Sequence, residues 1–457
     1  MWLLRFSQIS PLTLNGYDTQ MNSAQGSVSV IGGGFVGLTL AAHLLEKENQ
    51  IVTLVEKNSV VVDSMKNGRY LVWEPGLAQI LDEAQSNGRL SISTTLNELE
   101  SKTYFVCIGT PKPTGSNSTN NVMVEALTEI FKLVPKQSKV FLRSTVAIGT
   151  TNSLKRLATD LGRSDISLYF APERTAEGVA LAELKVLPQM LGAAEGDSLA
   201  NGEKELSTLG FDVVTSTTAE VAELAKLACN TWRDVIFAYS NELALMGEVR
   251  GVSALEAISL ANHNYARANI PLPGPVGGPC LSKDAYIFLE ANEGKARDSV
   301  IRSGRLINDS IAPMLITAIE NAFKDKATPI LCIAGLAFKG KPKTNDVRDS
   351  LGIEVLDKLK SLHSTWKLKI WDENISQEEL SVPMPRCESK EDFQEVDALV
   401  IANNAEFFSN SSGVKKLQAL SSSSVIFDLW GVTKNLEGIS AEINIFGDGN
   451  WVKYLGK

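Results

Sequence analysis

Cys280 stands in the stretch GGPCLSKDAY, residues 277–286, where Gly277, Gly278 and Pro279 work against a regular helix or strand. Lys283 and Asp284 follow within one helical turn, placing a cation and a carboxylate beside the sulfur. A thiol at a bend, flanked by a positive charge and close to a helix start, suits an activated nucleophile. An inert core cysteine is the competing interpretation. A second group, Lys226, Asn230 and Arg233, is spaced four and then three residues apart, so all three share one helix face. Their neighbours are Ala, Leu and Cys, which predicts a partly buried face, and burial lowers a lysine towards the range of a general base. A solvated stripe accounts for the spacing equally well.

A third group is Gly32-x-Gly34-x-x-Gly37, with Phe35 and Val36 inside it. It follows the apolar run VSVI and opens the helical pattern LTLAAHLLEKE, and Glu56 ends the next apolar run nineteen residues after Gly37. In that context the glycines let backbone approach a pyrophosphate, and the helix N-terminus stabilises its charge. The Glu56 carboxylate suits a ribose 2′-hydroxyl and repels a 2′-phosphate, which favours NAD over NADP. Thr110, in VCIGTP, and Thr145, in RSTVAIGT, put hydroxyls in loops at strand ends where such sheets hold ligands, although ordinary capping is an equal reading. A hydride acceptor beside a nucleophilic thiol points to oxidation at the aldehyde level, through a thiohemiacetal and a thioester that water cleaves.

The elements that must hold these residues follow from periodicity. Strand, glycine turn and helix alternate from Ser27 onward, which implies a parallel sheet covered on both faces. From about Thr218 an Ala- and Leu-rich run reads as one long helix, and helical material continues to about Phe323 apart from a loop at 269–282. PILCIAGLAFKG restarts the strand–glycine–turn pattern, and WKLKIWDE, DALVIANN and SSVIFDLWG add strands. The expected architecture is α/β: two Rossmann-like parallel-sheet domains, 26–216 and 327–457, joined by a helical domain, 217–326, with one long central helix. Residues 1–25 lack a period and contain Met21, so they are expected to be a dispensable tail.

Composition narrows the function classes. The net charge is −9 and no block of more than two consecutive Lys or Arg occurs, which argues against a nucleic-acid or membrane-surface role. Five scattered cysteines without C-x-x-C spacing suggest a reducing, cytoplasmic setting with no disulfide framework, and with three isolated histidines no metal site is expected. Cys107, Cys229, Cys332 and Cys387 are read as chemically bland, Cys387 in a polar loop.

The ordered set GGGFVG, EPGL, IGTP, STV, PER, ELAKLACNTWRD, PGPVGGPCLSKD, GLAFKG and NDVRDS resembles the UDP-glucose/GDP-mannose dehydrogenase family from about Ser27 to the end of the chain. The resemblance implies an enzyme that oxidises the C6 alcohol of a nucleotide sugar to a carboxylate with two NAD, and a helical middle domain that forms a homodimer or a larger homo-oligomer. It implies Cys280 as nucleophile, Lys226 and Asp284 as the groups handling protons and the oxyanion, and Asn230 as the residue holding the sugar. It makes Glu173 the acid that positions water, and assigns Arg174, Arg233, Arg267, Lys339, Arg348 and the loop at Gly277 to the substrate. Fork-like guanidinium donors suit a diphosphate. Two positions depart from the family pattern: Glu56 replaces the usual Asp, and Pro279 replaces the Ser or His that precedes the cysteine. PER, the Asn-x-x-Arg-Asp run and PGPVGGPC are more similar to the UDP-N-acetylmannosamine and UDP-N-acetylglucosamine branch, which makes a UDP-N-acetylhexosamine the expected substrate, with UDP-glucose or GDP-mannose as the alternative. A one-step hydroxyacid dehydrogenase would need neither Cys280 nor the second α/β domain, and a non-catalytic sensor would not need to keep Cys280 and Lys226.

Overall fold

The computed structural model describes residues 26–95, 101–113, 119–290, 298–380 and 383–455. The expected tail, 1–25, lies outside them. The first sheet contains β1 (Val28–Ile31), β2 (Val52–Val55), β3 (Leu90–Ser93), β4 (Thr103–Val106), β5 (Lys139–Leu142), β6 (Ser167–Phe170), β7 (Gln189–Ala193) and β8 (Val213–Thr215). Their spatial order is β3-β2-β1-β4-β5-β6-β7-β8, so the chain reverses direction across the sheet between β1 and β4. Ligands bind at such a switch point, outside the carboxyl ends of the strands. β1 and β4 are buried at every residue, as central strands covered on both faces must be.

One junction departs from the expected parallel sheet: β7 runs antiparallel to β6. Between them, residues 171–188 carry only the four-residue helix Ala180–Glu183. A parallel return is usually made by a crossover helix packed on the sheet; this connection has a single turn of helix, and the chain folds back.

The second sheet is parallel throughout, in the order β10-β9-β11-β12-β13, with β9 (Ile330–Ala334), β10 (Lys367–Trp371), β11 (Ala398–Ile401), β12 (Val425–Asp428) and β13 (Glu442–Ile445). Cys387 is not in a solvated loop: it is buried beside β10, its amide donating to the Ile370 carbonyl at 2.8 Å, and its thiol hydrogen-bonds with that of Cys332.

Between the sheets runs the helix Ala219–Arg250, 32 residues long. The Thr218 side chain caps its start by accepting from Val221 N, and Gly251 ends it in a left-handed conformation. Two buried glutamates fasten it. Near its start, Glu223 accepts from Gly149 N at 2.6 Å, Thr151 N at 2.8 Å and the Thr151 hydroxyl at 2.6 Å, where the helix Thr150–Asp160 begins. Near its end, Glu248 accepts from Gly447 N at 2.7 Å, Gly449 N at 3.2 Å and Trp451 N at 2.7 Å, in the segment that follows β13. No helix among the described residues is long and apolar enough to cross a membrane.

Glu248→Gln keeps the side-chain volume but turns an NH2 group towards backbone donors. The lost acceptor should cost ~2 kcal/mol. Differential scanning calorimetry should show a fall of several degrees in melting temperature, against no change for Glu406→Gln on the surface. Equal shifts for the two variants would deny Glu248 its anchoring role.

Candidate active site

The glycine fingerprint forms a tight turn between β1 and the helix Phe35–Leu45. Gly32 has φ +112°, and a Cβ there would lie 2.5 Å from the Cys107 carbonyl oxygen. A Cβ on Gly37 would lie 1.8 Å from the Gly32 oxygen, so the helix can pack this closely only without a side chain. At Gly34 the space is open, with no atom within 4 Å of where a Cβ would sit. The helix start has no side-chain cap and no acid in its first turn. Unsatisfied amides facing open space fit a pyrophosphate. Glu56 closes the turn from the side: Gly33 N donates to Oε2 at 2.9 Å and Asn58 N to Oε1 at 2.9 Å. The carboxylate therefore stands at the end of β2, where an adenosine ribose would reach it.

The second α/β unit repeats this latch. Leu336 N donates to Asp372 Oδ2 at 2.6 Å and Asn374 N to Oδ1 at 2.7 Å. Its following helix, Leu351–Leu362, differs: the Ser350 side chain accepts from Ile353 N and Glu354 occupies the first turn. A capped, acidic helix start disfavours an anion.

Cys280 immediately precedes the helix Leu281–Glu290, and its carbonyl accepts from Asp284 N at 2.9 Å and Lys283 N at 3.2 Å. The cysteine is open to solvent on one side and crowded by protein on the others. Its environment corrects the expected activation. The surrounding protein and then the Asp284 carboxylate push the thiol above its ordinary value, while Lys226 and Lys283 pull only partly the other way. Asp284 is buried and receives Asn230 Nδ2 at 2.6 Å and Lys283 Nζ at 2.8 Å. Lys283 also reaches the Thr110 hydroxyl at 3.4 Å, and that hydroxyl donates to the Thr145 carbonyl at 2.9 Å. The loops after β4 and β5 are thus joined to the cysteine's helix. Lys226 is only 7% exposed, and among the described residues its ammonium has no hydrogen-bonding partner. Such a group is ready for an incoming oxygen.

The elbow is also held from the second α/β unit. Gly278 N donates to the Asp349 carbonyl at 3.0 Å, and the Ser282 hydroxyl to Asp349 Oδ2 at 2.6 Å. A Cβ on Gly277 would lie 2.2 Å from the Asp349 oxygen, and one on Gly278 2.4 Å from the Phe338 ring. Only glycines allow this approach.

The sequence reading missed Glu177. Its side chain is nearly buried, accepts from the Thr344 hydroxyl at 2.8 Å, and lies 3.7 Å from the Arg348 guanidinium. Lys339 donates to its backbone carbonyl at 2.8 Å. Burial first, and then Asp346, push Glu177 up to about 7. Glu177 is among the charges that act on Cys280. Glu173 behaves oppositely. Burial alone would raise it, but the ion pair with Arg143 and bonds from Arg174 N and Thr175 N, at 2.7 and 2.8 Å, hold it below the usual carboxylate range. The signal for Glu177 was its place in PER-x-x-E with EPGL, since Glu74 accepts from Gly178 N at 2.7 Å and Leu181 N at 3.2 Å.

The expected cations divide. Lys339 and Arg348 converge on Glu177, and Arg233 lies close enough to Lys339 to depress it further after burial. Arg174 instead donates to the Pro188 carbonyl, and Arg267 lies over the exposed Tyr265 ring, 4.9 Å from its centre. Neither has a described contact with the cysteine cluster.

An open, uncapped glycine turn at a switch point, with the neighbouring loop after β4 joined through Lys283 to the helix that begins at Cys280, is the arrangement of a dinucleotide-dependent oxidoreductase. The chain belongs to the UDP-glucose/GDP-mannose dehydrogenase family, matching its NAD binding domain over residues 26–207, its central domain over 220–310 and its UDP binding domain over 332–435. It is therefore an NAD-dependent nucleotide-sugar dehydrogenase. It is 31% identical over 359 residues to the UDP-N-acetyl-D-mannosamine dehydrogenase of Escherichia coli K12, covering 74% of this chain and 83% of that one. The solved UDP-D-ManNAc dehydrogenase of Pyrococcus horikoshii superposes with a TM-score of 0.80 at 26% identity, over 93% of this chain and all of that one (100%). The UDP-N-acetyl-mannosamine dehydrogenase of Staphylococcus aureus gives 0.79 at 26%, over 94% and 100%.

If Glu56 meets the ribose, kcat/KM for NAD should exceed that for NADP by ~100-fold through charge repulsion at the 2′-phosphate. Glu56→Ala should narrow the gap mainly through a lower KM for NADP. An unchanged ratio in initial-rate assays would remove Glu56 from the cofactor site.

Proposed function

We propose that the chain oxidises the C6 hydroxymethyl group of a UDP-N-acetylhexosamine to the carboxylate through a thioester on Cys280. The observation that carries this reading is the bridge from Asp284 through Lys283 to Thr110, which joins the helix that begins at the Cys280 elbow to the loop after β4, beside β1 and the cofactor turn. The similarity to dehydrogenases of UDP-N-acetyl-D-mannosamine supports the sugar class. When bound, NAD supplies the hydride acceptor for both oxidations.

The chain's own residues account for the rest. Lys226 stabilises negative charge on the C6 oxygen, and Asp284 takes part in moving its proton. Asn230 orients Asp284 and holds the sugar beside it. The Cys280 sulfur adds to the aldehyde carbon while its proton passes to the carbonyl oxygen, which gives a thiohemiacetal without free aldehyde. Loss of hydride and a proton leaves the thioester. Glu173, held ionised by Arg143, orients water as an acceptor. Glu177, near neutrality, takes the proton as the water oxygen bonds to the acyl carbon and the C–S bond breaks. Lys339, Arg233 and Arg348 face the substrate anion, and the loop at Gly277 borders it. Two NAD+ and one water enter with the alcohol, and one carboxylate, two NADH and three protons leave.

A panel of UDP- and GDP-sugars followed by NADH formation identifies the substrate, with UDP-glucose and GDP-mannose as the outcomes that would displace the N-acetylhexosamine. With the active sugar, each carboxylate should come with two NADH. Cys280→Ser, with a poorer nucleophile and leaving group, should lower turnover by ~1,000-fold or more, and added aldehyde should not restore it. Below about 7 Glu177 is protonated, so kcat should rise with pH through that value, and Glu177→Gln should lack that limb. One NADH with released aldehyde, or near-normal carboxylate from Cys280→Ser, would refute the thioester route.

The reading includes a homodimer built on the long helix. Val221, Leu224, Trp232, Tyr239, Met246 and Val249 are exposed along it, and their spacing keeps them within one side of the helix. A second copy of the same stripe would cover them. Light scattering should give twice the 49.5 kDa chain mass, and Trp232→Glu should give the single-chain mass. A monomeric native chain at micromolar concentration would contradict it.

A further inference from the structure

A buried polar network holds the backbone of the cysteine elbow. Arg305, in the helix Val300–Asp309, is fully buried. Its Nη1 donates to Asp234 Oδ1 at 2.6 Å and to the Leu281 carbonyl at 3.2 Å. Its Nη2 donates to the Val276 carbonyl at 3.2 Å, and Nε to Asp309 Oδ1 at 3.0 Å. One guanidinium therefore spans both ends of the elbow, Val276 before Cys280 and Leu281 after it.

Asp234 belongs to the long helix, four residues beyond Asn230 and eight beyond Lys226, so it continues their face. Asn308 Nδ2 donates to Asp234 Oδ1 at 2.7 Å and to its carbonyl at 2.9 Å. Asn241 Nδ2 donates to Asn308 Oδ1 at 2.9 Å and to the Gly274 carbonyl at 3.0 Å, while Gly274 N donates to Asn241 Oδ1 at 2.8 Å. The loop is thus tied at Gly274, Val276 and Leu281 to the helix that presents Lys226 and Asn230.

We propose that Arg305 is a positioning residue for the reaction: its fork, seated on Asp234, sets the Cys280 sulfur relative to Lys226 and Asn230. The geometry requires a planar group with several fixed donors. A lysine would neutralise Asp234 but could not reach both carbonyls as well. Asp234 Oδ2 is buried without a partner in the described residues, so the aspartate's charge rests on Arg305 and Asn308. The proposal rests on Cys280 being the nucleophile, and its first readout does not depend on any substrate.

The test compares Arg305→Lys, Arg305→Ala and Cys280→Ser with the native chain. Amide hydrogen exchange over residues 274–284 should quicken by about tenfold in both Arg305 variants, with residues 311–322 unchanged. Cys280→Ser should keep native exchange there, and its turnover independently decides whether Cys280 is the nucleophile. With the nucleotide sugar that the native chain oxidises fastest, Arg305→Lys should lose about 100-fold in kcat. KM for NAD should stay within about twofold, since the cofactor turn is untouched. Added guanidinium should restore part of the kcat of Arg305→Ala and none of that of Cys280→Ser. Unchanged exchange at 274–284, exchange rising equally through 311–322, or a native kcat in Arg305→Lys would overturn the assignment.

Discussion

Two carboxylates buried in cradles of backbone donors hold this molecule together. Glu223 and Glu248 lie 25 residues apart on one helix, a span of roughly 37 Å at the ordinary helical rise. Each is inaccessible to water, and a buried carboxylate without donors would be strongly unfavourable. Each can therefore keep its charge only while the far partner stays in place. The cradle at Gly149 and Thr151 belongs to the first α/β unit, and the cradle at Gly447–Trp451 to the second. The helix acts as a strut of fixed length between the two sheets, and the face carrying Lys226 and Asn230 is held between them.

The two α/β units share a backbone device and differ in what it can bind. Glu56 on Gly33 and Asn58 matches Asp372 on Leu336 and Asn374 almost atom for atom. The helix starts decide the outcome. The first is uncapped and faces open space at Gly34, whereas the second is closed by Ser350 and Glu354. The second unit instead uses its long turn, Lys339 to Asp349, to press on the cysteine elbow and to surround Glu177. Similar folds thus divide into a dinucleotide holder and a unit that packs on the cysteine elbow.

The cleft separates two neighbouring glutamates by environment. Arg143 and two amides keep Glu173 ionised, whereas burial beside Asp346 brings Glu177 to neutrality. Carboxyl groups so divided can serve as a fixed acceptor and a proton carrier in one reaction. The raised thiol of Cys280 fits the same logic. Burial first, and then the Asp284 carboxylate, push that thiol up and favour its protonated form.

Local patterns were legible without coordinates. The glycine turn, its strand and helix, and Glu56 lie within about 30 residues of one another, and their chemistry follows from spacing and steric size. The elbow at Cys280 and the helical face of Lys226 and Asn230 are likewise short-range features. What spacing could not supply is anything contributed by a distant segment. Glu177 near neutrality depends on Asp346, Thr344 and Arg348, almost 170 residues on. The upward shift of Cys280 depends on crowding and Asp284 outweighing the nearby lysines. Arg174 and Arg267 turned to Pro188 and Tyr265 because long guanidinium side chains take whichever partner lies nearest in space. The reversed β7 follows a connection with one turn of helix in place of a full crossover helix. Residue type and spacing determined the kinds of group this protein brings to its cleft; tertiary packing decided their charge and partners, because electric fields and desolvation depend on distance through space rather than along the chain.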